Sequence, residues 1–384
     1  MNEFHYTSYA QEVIFGPGSL ARLSEAIDRF GGRRVMLCSS GSLRRDGSIA
    51  AIESALGERL VAIYERTQSH VPDFQVAEAL ELAEQHEVDA LIGMGGGSPL
   101  GLAKAVSFAL EEKRGEVAIP TTSSLAQPLV PIVAIPTTYA GSEMTPVYGV
   151  TREVDGVARK LTVTNAKITP KLVIYDPVLT LGLSPSLTAS TGINALAHCI
   201  EALYSITRNP LSTAAALNGI RSIMHALPRC YSAGDDLEAR TEMLAGAFLA
   251  GTALAHVTMA LHHGLCHILG GTAGVPHGIA NSIMLPHAMR FNLDATAPQL
   301  LGAAQAMGIP LADRSVETAV EEAVQHIYDM VGQMNLPQHL QDVGVQEADL
   351  PRLAQLAFQS RTVQSNPKPI TDAAQIEEVL RAAW

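Results

Sequence analysis

The chain of 384 residues lacks several things that would have settled its class at once. No apolar run approaches the roughly 20 residues needed to cross a bilayer. Its opening, MNEFHYTSYAQEVIFG, does not have the basic and then apolar order of a secretory leader. Cysteine is scarce and scattered: Cys38, Cys199, Cys230 and Cys266 form no CxxC pair, and free thiols in a cytoplasmic protein fit that spacing best. Cys266 adjoins His267, where a nucleophile is conceivable, but a buried helix cysteine is the simpler reading. Positive charge is also in deficit. The net charge of −12 argues against nucleic acid or an anionic membrane as the main partner, and an anionic substrate would need a locally basic pocket. Charged residues make up only 17% against 47% apolar, so the chain can bury sizeable cores, and its length suits two domains.

What is present divides near residue 180. In the first part, apolar runs (RRVMLCSS, RLVAIYE, DALIGMG and KLVIYDP) alternate with helical patterns (SLARLSEAIDRFG, DFQVAEALELAEQHE, PLGLAKAVSFALEE). Strands alternating with helices make βαβ units and a parallel, Rossmann-like sheet, so residues 1–180 read as a dinucleotide-binding α/β domain. The stretch 111–130 interrupts the alternation. AIPTT occurs at 118–122 and again at 134–138, which reads as two extended segments beside a loop. From 181 to 384 strand signals nearly vanish. Helical patterns at 186–206, 211–227, 236–253, 255–269 and 314–334 predict an all-α domain, closed by a helix over 371–383 after the stiff NPKPIT turn.

The first part carries candidate cofactor residues. DALIGMGGGSPLGLAKA sets a strand, a glycine run and a helix start in order, and Gly95, Gly96, Gly97 and Ser98 would let backbone N–H groups approach a pyrophosphate. It matches neither GxGxxG nor a Walker A loop, and a plain tight turn stays open. In IPTTYAGSE, Thr137, Thr138 and Ser142 are candidate phosphate, ribose or nicotinamide contacts, and Tyr139 is a candidate donor. A Ser/Thr-rich turn is the plain alternative. Ser39 and Ser40 stand where an acidic residue would engage a ribose 2′-hydroxyl, with Arg44 and Arg45 close by, so NADPH should be tolerated as well as NADH. Lys160 is a candidate for cofactor or substrate carboxylate, or simply an exposed lysine.

The second part carries two i, i+4 pairs, Asn194/His198 and His263/His267, and a further His277. Each pair would lie on one helix face. If the segments converge they form nearly a divalent-metal site, with an amide where a carboxylate would be wanted. His262 would point about 100° from His263 and is left outside the site.

Taken in order, GGGSPLGLAK, IPTTYAGSE, YDP, TGINALAHCIEALYS and HHGLCHILGGTAGVPHG resemble the iron-containing (group III) alcohol dehydrogenases over roughly residues 8–380. The resemblance implies the dehydroquinate synthase-like architecture, a cleft site, a homodimer or larger oligomer, and a metal site at the positions of Asn194, His198, His263 and His277. In metal-dependent members the first of these is Asp. His267 matches a histidine near the nicotinamide that is not usually a ligand. Asn194, Gly101 and PTTYAGSEMTP make the chain most similar to the maleylacetate reductase branch, which is generally metal-independent. Gly264, where that branch has Lys, and PHGIAN (276–281) are nearer the alcohol dehydrogenases.

The resemblance implies NAD(P)H-dependent reduction of the enone of maleylacetate, or of a similar unsaturated oxo-acid, in aromatic catabolism. His198 and His263 would bind or polarise substrate oxygens, His267 would give a proton, and His277 would complete the polar wall. A catalytic metal is expected to be absent, since a neutral amide does not cancel charge on Fe²⁺ or Zn²⁺. The alternatives are a Zn- or Fe-dependent alcohol dehydrogenase or aldehyde reductase of the same family, and a nucleotide-binding protein without turnover.

Overall fold

Runs such as VMLC and ALIGMG are apolar at every position, which suits strands covered on both faces. In the computed structural model, which describes Phe4 and residues 6–113, 128–154 and 157–384, these runs form the centre of a parallel sheet. The elements in chain order are β1 (Glu12–Phe15), α1 (Leu23–Arg29), β2 (Val35–Cys38), α2 (Gly41–Arg45), α3 (Ser48–Leu56), β3 (Leu60–Tyr64), α4 (Asp73–Gln85), β4 (Ala90–Gly95), α5 (Gly97–Lys113), β5 (Ile132–Pro136), β6 (Val147–Val154), β7 (Val157–Thr164) and β8 (Leu172–Tyr175). Six strands pair in the order β1-β8-β5-β4-β2-β3, every pair parallel. The chain leaves β2 toward β3 and resumes on the other side at β4, so the topological switch lies between β2 and β4. That is where a parallel sheet of this kind opens a crevice at its carboxyl edge.

The Rossmann-like parallel sheet agrees with the sequence reading. The second AIPTT supplies the end of β5 and the turn after it; the first, at 118–122, lies outside the described residues. The antiparallel ribbon β6–β7 and the short edge strand β1 were not anticipated.

The rest is helical: α6 (Pro185–Tyr204), α7 (Pro210–Ser232), α8 (Leu237–Ala255), α9 (Leu261–Ala273), α10 (His277–Ala306), α11 (Val316–Gln333), α12 (Leu350–Phe358), α13 (Arg361–Gln364) and α14 (Ala373–Ala382). Two compact units result, Thr7–Gly182 and the helical Leu183–Trp384, which Phe4 and Tyr6 join. Tyr6 stacks on His256, with ring centroids 4.7 Å apart. None of the described helices is long and apolar enough to cross a membrane.

Two helix readings need correction. The pattern over 255–269 is not one helix: α8 ends at Ala255 and α9 starts only at Leu261. The α9 start depends on an acceptor outside its own segment. The N–H of Ala260 donates to Glu201, 59 positions away, and local periodicity does not see that. The 30-residue α10 went unread because Pro286 and Pro298 lie inside it. Each proline removes one helix hydrogen bond, and packing against α6, α9 and α11 offsets the loss.

The YDP signal has a clear physical role at the end of the sheet. Asp176 is buried, and its carboxylate accepts from the N–H groups of Gly18 (3.0 Å), Leu20 (3.0 Å) and Val178 (3.1 Å). It caps two short turns at once and fastens the β1 exit to the β8 exit. Asp176→Ala leaves those donors without their acceptor and is expected to destabilise the protein by about 2 kcal/mol or more. A urea midpoint equal to wild type would refute the role.

Candidate active site

In the α/β unit, the proposed cofactor residues gather at the carboxyl ends of three neighbouring strands. Ser39 and Ser40 follow β2, Gly95 ends β4, and Thr137 and Thr138 follow β5. Thr137 donates its N–H to the Gly95 carbonyl at 3.0 Å, which ties the two turns together. Gly95 has φ +136°, a region that disfavours side chains, and a Cβ there would meet Pro99 at 2.9 Å. A Cβ on Gly96 would come within 3.3 Å of Thr138 Oγ1. These glycines therefore leave bare backbone at the start of α5, where Gly97 and Ser98 form its first turn. That cradle fits a pyrophosphate.

The turn after Tyr139 is held from beneath by Lys104. Its buried ammonium reaches the carbonyls of Ser142 (2.6 Å), Thr145 (2.7 Å) and Val147 (2.9 Å) and the Thr145 hydroxyl (3.1 Å). Burial pushes its pKa down to about 7, and the charge of buried Glu143 pulls it back up. Three carbonyls around one nitrogen favour the charged, three-donor form. Ser142 thus spends its carbonyl on the fold, and Tyr139 is fully buried. Arg44 was a candidate for a 2′-phosphate, but its guanidinium already lies between Glu65 (2.7 Å) and Glu53 (2.6 Å). Lys160 pairs through its backbone with Thr151 in the ribbon; its side chain lies outside what is described. Gly101 is buried on α5 and looks toward Val71, 3.5 Å from where a Cβ would stand.

In the helical unit, α6 presents Ser190, Asn194, His198 and Glu201 at near-helical spacing on one face, all buried. The imidazoles expected from sequence do come together. His198 and His263 stack with centroids 4.6 Å apart and planes 14° from parallel. His267 and His277 stack at 5.7 Å and 22°, and His263 lies 6.5 Å from the first and 6.2 Å from the second. The cluster is layered: His198 and His263 are buried, while His267 and His277 are half-buried at the rim. Burial, then the neighbouring His263 and His262, hold His198 well below the usual imidazole range, so this ring is neutral at pH 7.

Glu201 is the residue that sequence reading missed. Its carboxylate accepts from the N–H groups of Ala260 (3.1 Å) and His262 (3.0 Å), and its other oxygen lies 2.6 Å from His263 Nδ1. Burial pushes the carboxyl up to about 7, against the pull of His262 and of the backbone N–H groups. The available signal was spacing, since Glu201 follows Asn194 by seven residues and so shares its stripe. His262, left outside the site on its angle, is a buried neighbour of it. Its ring meets His263 edge-on at 4.8 Å, with Nε2 3.3 Å from the Asn281 carbonyl, and burial lowers its pKa to about 4.

Ligand atoms of Glu201, His262 and His263 lie within 4.8 Å of one another, but hydrogen bonds already engage each group. The set Asn194, His198, His263 and His277 offers three imidazoles and an amide, with the His198 and His263 rings nearly parallel. An imidazole ligates in its ring plane at about 2.0–2.1 Å. An ion shared by His198 and His263 would have to lie near both ring planes, which are 14° apart. A ligating imidazole normally has its second nitrogen hydrogen-bonded; His263 has that through Glu201 at 2.6 Å, while His198 Nδ1 has no such partner among the described residues.

Two glycines lie where helices around the cluster come close. A Cβ on Gly264 would meet Val363 Cγ2 at 2.4 Å, so a side chain there would point at α13 and not at the imidazoles. Gly278 lets α10 approach α6: a Cβ would stand 2.9 Å from Ser190 Cβ and 3.0 Å from its carbonyl oxygen. Gly278→Ala should therefore push His277 out of the cluster, costing about 1–3 kcal/mol in stability together with most of the activity. Unchanged melting and turnover would show that the close approach is not required.

The two halves match separate models of one family: "Iron-containing alcohol dehydrogenase" over residues 10–177 and "Fe-containing alcohol dehydrogenase family, C-terminal" over residues 188–384. A maleylacetate reductase of Delftia acidovorans is 36% identical over 384 residues, covering 99% of this chain and 97% of that protein. The crystal structure of maleylacetate reductase from Agrobacterium tumefaciens aligns with a TM-score of 0.84 at 32% identity, over 100% of this chain and 99% of that one. A 1,3-propanediol oxidoreductase structure aligns with a TM-score of 0.91 at 30% identity, over 100% of both chains. The chain therefore belongs to the iron-containing alcohol dehydrogenase family and is an oxidoreductase.

Proposed function

We propose that this protein is an NAD(P)H-dependent reductase of maleylacetate or a closely similar unsaturated oxo-acid, working without a catalytic metal. The observation that carries the reading is the character of the cluster. It is a wall of imidazoles whose nearest carboxylate, Glu201, is tied up behind it by backbone N–H groups and His263. Such a site does not repel an anionic substrate. Similarity to maleylacetate reductases over the whole length supports the substrate class.

The nicotinamide cofactor, when bound, supplies a hydride with its electron pair to the β-carbon of the enone. The π electrons of the double bond move toward the carbonyl, and negative charge gathers on its oxygen. N–H donors of the cluster stabilise that oxygen, and a proton reaches the α-carbon to leave the saturated oxo-acid. The half-buried pair His267 and His277 is where substrate can touch the cluster. His267 is the proton donor in this scheme and His277 orients the substrate oxygen. Buried His198 and His263 form the floor. A conjugated enone spreads its charge further than a simple ketone does, which lessens the need for a Lewis acid. Both NADH and NADPH are expected to serve, since the carboxyl end of β2 has serines, not an acid. Four buried, unbridged thiols support a cytoplasmic setting, and a homodimer is the expected assembly.

The test is oxidation of NADH and NADPH by metal-stripped protein with maleylacetate beside short aldehydes. Turnover is expected with maleylacetate and is expected to be unaffected by EDTA. Loss with EDTA that Zn²⁺ or Fe²⁺ restores would overturn the metal-free reading; turnover of aldehydes alone would overturn the substrate. His267→Gln should lower kcat by about a hundredfold or more with little change in the KM for cofactor.

A further inference from the structure

We infer that Glu201 is a positioning residue for this reaction, one that decides which ring nitrogen of His263 faces the cluster. The inference rests on the reductase reading for its consequence, though not for its geometry.

Glu201 is fully buried on α6. Among the described residues no lysine or arginine pairs with it, and its side-chain partner is the imidazole of His263. Burying a carboxylate is costly unless its oxygens are fully used. An apolar residue of similar size would pack at that position with less penalty, so the hydrogen bonds account for an acid there. Its polar contacts are of two kinds. The N–H groups of Ala260, His262 and His263 belong to the first turn of α9, whose own N-cap, Ala260, has no polar side chain to satisfy them. The other is His263 Nδ1, at 2.6 Å.

This arrangement has a direction. The Ala260 and His262 N–H groups point at one carboxylate oxygen, Oε1, the His263 N–H adds to the backbone donors around the carboxylate, and Oε2 lies 2.6 Å from the imidazole. Once ionised, above about pH 7, the carboxylate only accepts, so Nδ1 of His263, which also lies 3.2 Å from His262 Nδ1, must carry the proton. In the neutral ring, Nε2 is then the bare nitrogen and faces away from Glu201. His263 can accept there from a neighbouring N–H, a water or a substrate group. The same contact fixes the ring's rotation, and through α9 it sets the position of His267 one turn on. Asn366, paired with Asn292 on α10 by two amide hydrogen bonds of 3.1 and 2.6 Å, takes a further N–H of that turn, from Leu261. Two side chains from distant segments thus cap the helix that carries two of the imidazoles.

Glu201→Gln separates positioning from simple capping. The backbone N–H groups still require the amide oxygen, so the amide nitrogen must face His263 and donate to Nδ1. Shape and cap are kept, and the tautomer reverses. Nitrogen-15 NMR of histidine-labelled protein, with the His263 signals assigned by their loss in His263→Gln, reads the tautomer directly. The expected result is Nδ1–H in the wild type and Nε2–H in Glu201→Gln. The melting temperature and the KM for NADH should be close to wild type, while kcat with maleylacetate falls at least tenfold. Nε2–H in the wild type, an unchanged tautomer in the variant, or a reversed tautomer with unchanged kcat would each overturn the proposal. The wild-type spectrum decides even if the variant does not fold. Wild-type protein that shows the expected tautomer but does not reduce maleylacetate would count against the reductase reading and leave the tautomer control standing.

Discussion

The hydrogen-bonded contact between Glu201 and the first turn of α9 is the constraint on which the rest of the imidazole cluster depends. A helix N-terminus brings several unsatisfied N–H groups into the core, and a buried imidazole brings another. One carboxylate answers both needs. Because it sits on α6, it also ties the segment bearing His198 to the segment bearing His263. His263 is thereby held against His198, and His262 beside it turns its ring to the Asn281 carbonyl.

Small residues make this packing possible. A Cβ on Gly192 would meet Leu227 at 2.4 Å, and one on Gly219 would meet the Cys199 sulfur at 2.7 Å, so α6 and α7 lie closer than side chains would allow. Gly278 does the same between α10 and α6, and it is this approach that delivers His277. The glycines and histidines have different tasks. The first set how near the helices come, and the second occupy the space that nearness encloses.

The cofactor half follows a different logic. Its candidate residues lie at the carboxyl ends of β2, β4 and β5 because a parallel sheet gathers its strand ends along one edge. What looked in the sequence like one string of cofactor contacts divides into two kinds in the structure. Gly95, Gly96 and Thr138 shape an open turn, while the carbonyl of Ser142 helps to hold a buried lysine and Arg44 is engaged by two glutamates. Residue type revealed where these groups fall along the chain, but not which of their atoms the fold had already claimed.

Much of the molecule was readable in advance, for reasons of range. Strand and helix periodicity are local, so the alternation up to residue 180 and the helices after it could be read directly. So could the faces that pair Asn194 with His198 and His263 with His267. Where packing overrode local rules, reading stopped: α10 runs through two prolines, and α9 waits for an acceptor 59 residues away. The sequence by itself determined which residues could do chemistry and on which helix face each lies, because that follows from spacing along one helix. Only the tertiary structure decided that His198 stacks on His263, that His267 and His277 stay at the rim, and that Glu201 stands behind them. The contacts of His198 and Glu201 with His263 join segments about 60 residues apart in the chain, and their geometry is set by how closely helices pack and by which buried donors must find an acceptor.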